Sequence, residues 1–177
     1  HKQMLKLQKL QKNVAHRLNT IRSAQNLPLH EITKITLPPR RCHLLSEGYQ
    51  AAEEMDLLIK RLINLDKERL YIIGSNQIGT VISRSSLLEK RSLSYQSVFL
   101  IDENGKKQIP GGDYLCVTYR GSYSQSTDWG RKLIKYAEVH DLKVTGDLLE
   151  LLWIDIHTTS DESEYITQLQ LPVQQLL

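Results

Sequence analysis

The chain has 177 residues, 40% hydrophobic and 24% charged, an ordinary composition with room for one domain and an accessory element. No apolar run approaches a membrane span, no signal-peptide pattern opens the chain, and two cysteines, Cys42 and Cys116, form neither a disulfide framework nor a metal-ligand spacing. These features argue against a membrane partner and make a cytoplasmic location the expectation. The net charge of +3 conceals an asymmetry: residues 1–25 hold Lys2, Lys6, Lys9, Lys12, Arg17 and Arg22 and no acid, leaving 17 basic and 20 acidic residues in the body.

The first predicted element is a helix over that basic segment. Leu7, Val14 and Ile21 recur every seven residues, with Met4, Leu10, Leu18 and Ala24 beside them, which predicts a coiled-coil seam interrupted at one inward position by Arg17. An amphipathic helix folded back on its own domain is the alternative. Pro28 ends the helix, because proline disfavours helical geometry in the residue before it. A helix this short is marginal alone in water, so a homodimer through residues 1–27 is expected. The chain begins at His1 and not at Met, which suggests a piece of a longer protein.

The body, residues 28–177, contains a repeat. LPPRRCHLLSEGY at 37–49 and IPGGDYLCVTYRGSY at 109–123 align Pro38 with Pro110, Cys42 with Cys116, Gly48 with Gly121 and Tyr49 with Tyr123, at an offset near 73. Each copy predicts a strand closing in a glycine turn, then a helix, then two strands. The first helix places Ala51, Met55, Leu58, Leu62 and Leu65 on one face. The second places Trp129, Leu133, Tyr136, Ala137 and His140 there. The strands that follow span about 78–83 and 95–101 in one copy and 149–156 and 167–173 in the other. The expected fold class is α+β: duplicated strand-helix-strand-strand units, about 33–101 and 108–173, forming one antiparallel sheet with both helices on one side. A cleft would run between the copies, with Gln77 in the place equivalent to Glu150.

LELLWIDI at 149–156 carries the most informative residue. Alternation places Glu150, Leu152, Ile154 and Ile156 on one face and Leu149, Leu151, Trp153 and Asp155 on the other. A carboxylate among apolar neighbours is costly without a positive or hydrogen-bonding partner. Either Glu150 lies near the strand's end or meets an internal Arg, Lys or Tyr, or its partner comes from outside as a cationic ligand.

The repeat, YRGSY at 119–123, LLELLWIDIH at 148–157, SDESEY at 160–165 and TQLQLPV at 167–173 resemble a GyrI-like small-molecule-binding domain. With the basic helix in front, the chain is similar to the effector-binding half of a MerR-family multidrug-sensing transcriptional regulator. The resemblance implies a ligand-binding glutamate at Glu150 and ligand-facing aromatics at Tyr49, Tyr119 and Tyr123. The family often carries an aromatic two residues after the glutamate. This chain has Leu152 there and Trp153 one place further on, so both join the candidate site. The resemblance further implies a hydrophobic, cationic small-molecule partner, a coiled-coil dimer, and DNA binding only through a domain absent from this sequence. A hydrolase of small electrophilic compounds and a protein-binding inhibitor module are the alternatives it leaves open.

No other chemistry competes. His30, His43, His140 and His157 are scattered without metal spacing, no serine lies in a nucleophile elbow, and Gly111-Gly112 reads as a turn. No catalytic residue, metal or cofactor is expected. SDESEY reads as a solvated loop or the start of a helical turn with Ser160 as cap, and Cys42 and Cys116 read as small buried residues.

Overall fold

The computed structural model describes residues 2–45, 77–89, 95–156 and 158–176. The predicted first-repeat helix and Tyr49 lie outside these residues, as does His157. Helix α1 spans Lys2–Gln25. It ends where Asn26 and Leu27 donate their amides to the Ser23 and Ala24 carbonyls, just before Pro28.

Proline splits the leading segment of each copy. In the first, β1 (Thr33–Leu37) and β2 (Arg40–Leu45) flank Pro38 and Pro39. In the second, β5 (Lys107–Ile109) and β6 (Gly112–Arg120) flank Pro110 and Gly111. Proline offers no amide to a ladder, so each strand stops and the chain changes partner there. The remaining elements are β3 (Ile78–Ile82), a short helix α2 (Arg84–Leu88), β4 (Tyr95–Ile101), helix α3 (Ser126–Val139), β7 (Leu142–Val144), β8 (Leu148–Ile154) and β9 (Ile166–Gln175).

Among the described residues the sheet runs β1-β6-β9-β8-β3-β4-β2-β5, with β7 also on β9, and every pairing is antiparallel. The order is symmetric about the β8–β3 pair: β6-β9-β8 of one copy mirrors β2-β4-β3 of the other. The leading strands are exchanged, since β1 pairs with β6 and β5 with β2. The two ends of the strand order are thus tied by the 38–39 and 110–111 links, and the sheet must curl to let them meet. At that crossing a Cβ on Gly111 would stand 2.7 Å from the Pro39 nitrogen, so glycine is required.

Two cores result. On one face Leu133, Ile134 and Ala137 of α3 pack on Leu148, Leu152, Val117, Leu169 and Leu171, each buried Leu or Ile contributing about 1.5–3 kcal/mol. Of the α3 face read from sequence, Leu133 and Ala137 are buried, Trp129 and Tyr136 half-buried, and His140 is exposed as the C-cap. Inside the curl, Cys42, Phe99, Tyr114, Cys116, Leu149 and Leu151 form the second core.

Three details differ from the sequence reading. Strand β8 ends at Ile154, two residues early, because a register shift between Leu152 and Ile154 leaves Trp153 as an extra residue. The acidic turn is capped by Asp161, which accepts from the Ser163 amide, in place of Ser160. The α1 seam divides in two. Arg17, Ile21 and Ala24 face the chain's own domain, where Ile21 and Ala24 pack with Ile154 and Ile166 and Arg17 donates to the Thr158 hydroxyl at 2.5 Å. Met4, Leu7, Leu10, Val14 and Leu18 remain exposed.

Candidate functional site

Glu150 lies in the middle of β8, next to the central β3, and is wholly buried. Its register partner across the ladder is Thr80, whose hydroxyl donates to Oε2 at 2.8 Å. Oε1 accepts a short hydrogen bond from Ser126, the first residue of α3. The Ser126 and Tyr119 hydroxyls are 2.6 Å apart. With Glu150 ionised, the donors run one way, from Tyr119 through Ser126 to the carboxylate. Alternation puts Glu150 on the α3 side of the sheet, and the exit from β6 into α3 through the 3-10 turn Tyr123–Gln125 brings Ser126 over it.

These hydroxyls satisfy the carboxylate without neutralising it. Among the described residues no cation pairs with Glu150. Burial raises its pKa above the ordinary 4.5, and the Ser126 and Thr80 bonds only partly oppose that. The internal Arg, Lys or Tyr anticipated from sequence, or a place near the strand's end, is not what is found: Glu150 lies within β8 and meets a pair of neutral hydroxyls, Thr80 and Ser126. Neither was legible beforehand, because strand register and the seating of α3 choose them.

Tyr119 is buried in the same cluster as Leu152, and desolvation and then the Glu150 charge push its pKa up. Tyr123 is half-buried, packs against that cluster and stacks on Tyr165 with ring centroids 5.1 Å apart. Among the described residues its buried hydroxyl makes no well-formed hydrogen bond, and burial, Asp155, Tyr165 and Glu150 all raise its pKa. The structure thus brings together Glu150, Tyr119, Tyr123 and Leu152. Trp153 is not among them: it packs with Leu149 and Leu151 inside the curl and against the end of α1. Tyr49 lies outside the described residues. Sequence reasoning missed Thr80, Ser126 and Tyr165.

The described histidines have ordinary roles: His30 stacks on Trp129, His43 pairs with Asp102 at 3.3 Å, and His140 stacks on Tyr136. Among the described residues no group of three or more potential ligands could hold a metal ion, and no helix is long and apolar enough to cross a membrane.

Residues 30–174, containing the exchanged repeat and Glu150, match the GyrI-like small molecule binding domain. The chain belongs to the GyrI-like family. The C-terminal domain of EcmrR has the same fold at 14% identity and a TM-score of 0.63, covering 84% of this chain and all of that domain. EcmrR in its DNA complex matches at 14% identity and a TM-score of 0.68, covering 99% of this chain and 71% of that one. A hydrolase from Listeria innocua also shares the fold, at 14% identity and a TM-score of 0.52, covering 86% of this chain and 96% of that one. No curated protein matches. These likenesses place the GyrI-like fold at the centre of the chain and, with EcmrR in its DNA complex, extend over nearly its whole length.

Proposed function

We propose that this GyrI-like chain is the effector-binding and dimerisation region of a MerR-family transcriptional regulator, and that it binds a hydrophobic, cationic small molecule between its two repeats. The observation that carries the reading is Glu150, a wholly buried carboxylate met, among the described residues, by neutral hydroxyls. Burial disfavours its charge, and a bound cation reverses that preference. Tyr119 and Tyr123 offer ring faces worth about 0.5–2 kcal/mol each to such a ligand, and Leu152 offers apolar contact. Tyr49 stays in the set by resemblance. Trp153 has the weakest claim, because its packing is inside the curl. Since Glu150 is fully enclosed, binding has to part the side chains above it. The exposed stripe of Leu7, Leu10, Val14 and Leu18 supports α1 as the homodimer arm. The likeness to EcmrR in a DNA complex supports a DNA-binding domain outside this sequence, which occupancy would control.

The test compares the parent with Glu150→Gln against a lipophilic cation and its uncharged isostere. The cation should lose about 1–3 kcal/mol and the isostere almost nothing. Equal losses for both, or unchanged binding in a badly destabilised protein, would make Glu150 a structural residue. A second reading, a hydrolase of small electrophiles, draws on the fold of the Listeria hydrolase and on the Tyr119–Ser126–Glu150 hydroxyl chain. Turnover of small electrophiles by the purified chain, abolished in Glu150→Gln, would favour it over the sensor.

A further inference from the structure

The links that curl the sheet leave a hollow on the face away from α3. This cavity holds about 910 Å³, and both ends of the strand order wall it: Cys42, Phe99 and Ile109 on one side, Tyr114, Leu149 and Val173 on the other. Phe99 and Tyr114 are buried at its floor. Leu149 and Glu150 are neighbours on β8 and point to opposite sides of the sheet, so this space is separate from the Glu150 cluster.

Lys107 lines the hollow, and Arg40 stands next to it on the same face of the sheet. Strands β2 and β5 pair Arg40 with Ile109 and Cys42 with Lys107. Residues directly opposite in an antiparallel pair share a face, so Arg40 and Lys107 lie on the hollow's side with Cys42 and Ile109. The Arg40 guanidinium carbon sits 5.6 Å from the Tyr114 ring centroid, while among the described residues its buried Nε and Nη2 have no hydrogen-bond partner. The acids at the rim are engaged elsewhere. Asp113 accepts from Thr36 at 2.6 Å and pairs with Lys34 at 3.3 Å, and Asp147 accepts from the Arg84 amide at 2.9 Å. Among the described residues no carboxylate pairs with Arg40. Two buried, unmet donors on a half-buried cation are costly, and the partner whose geometry suits a guanidinium fork is a carboxylate.

We propose that this hollow is a second small-molecule site, for an aromatic carboxylate whose ring packs on Phe99, Tyr114 and Leu149 and whose carboxylate meets Arg40 and Lys107. The volume fits a small ligand. The site selects the opposite charge from that proposed at Glu150 and does not depend on that reading.

The test titrates 2-naphthoate into the intact chain and follows backbone amide shifts, with 2-naphthamide as the uncharged match. Naphthoate should give saturable shifts at Cys42, Phe99, Tyr114 and Leu149. Arg40→Met keeps an apolar stem over Tyr114 and should weaken naphthoate about tenfold or more, while leaving the amide's binding unchanged. Lys107→Gln, at an exposed position where folding is not at stake, should weaken it about twofold to fivefold, and decides the matter if Arg40→Met does not fold. Absence of saturation, shifts centred on Thr80, Ser126 and Glu150, or unchanged naphthoate affinity in the folded variants would overturn the proposal.

Discussion

A carboxylate whose only described partners are hydroxyls makes folding depend on pH in a definite direction. Burial raises the Glu150 pKa in the folded state above 4.5, so between these values the native chain holds a proton that the unfolded chain has released. Stability should therefore be greatest below about pH 4.5 as far as this group is concerned, and fall as pH rises through the folded value. Urea unfolding at pH 5 and pH 8 should show that loss in the parent and a flatter profile in Glu150→Gln. The same linkage makes a cationic ligand release a proton on binding, so its affinity should rise with pH over that window. Thr80→Val keeps the shape but removes one donor to a group already costly to bury. It should destabilise the fold by about 1–3 kcal/mol at pH 8, measured by the same unfolding, and less when Glu150 is protonated.

At the scale of elements, α1 has a docked end and an exposed leading part. Its C-terminal end is fixed: Arg17 donates to Thr158 and is attracted to Asp155, although desolvation lowers its pKa overall. Ala24 is wholly buried against Ile154 and Ile166. Its leading part presents apolar side chains to solvent, with Val14 50% exposed. Val14→Asp should therefore abolish dimers in sedimentation without changing the unfolding midpoint of the domain. Ile21→Asp should lower that midpoint, because it unseats the docked end. Six like charges per arm oppose pairing, so the parent dimer should strengthen with moderate salt. A monomer at high concentration and moderate salt would remove the arm from the dimer interface. Of the two alternatives posed by the sequence, the docked helix holds for the C-terminal end, where Arg17 finds its partner on the domain, and the exposed leading residues are where the proposed coiled coil would form.

At the scale of the whole molecule, closure of the curl rests on the contact between the 38–39 and 110–111 links. A Cβ on Gly111 would meet backbone at 2.7 Å, which a flexible side chain cannot relieve. Gly111→Ala should cost about 1–3 kcal/mol, read as a lower urea midpoint. Gly79 is equally constrained at the centre, where a Cβ would lie 2.3 Å from the Phe99 ring and 2.6 Å from the Glu150 carbonyl oxygen.

The duplication was legible in the sequence because matched prolines, cysteines and glycines recur at offsets near 73, and each copy repeats the same hydrophobic periods. Those local periods also marked α3, β8 and β9 and showed that Glu150 and Leu152 share one face of their strand. The family likeness singled out Glu150, Tyr119 and Tyr123 for the same reason: their motifs are contiguous in the chain. The exchange of β1 and β5 between the copies carried no such signal, since both segments are short and a strand's partner is chosen by the meeting of the sheet's ends. Thr80 and Ser126 were hidden likewise, 70 and 24 residues from the carboxylate they serve. The bulge that sends Trp153 away from Leu152 and the hollow beneath Arg40 follow from register and curvature. Those are properties of the closed sheet, and no run of residues holds them alone.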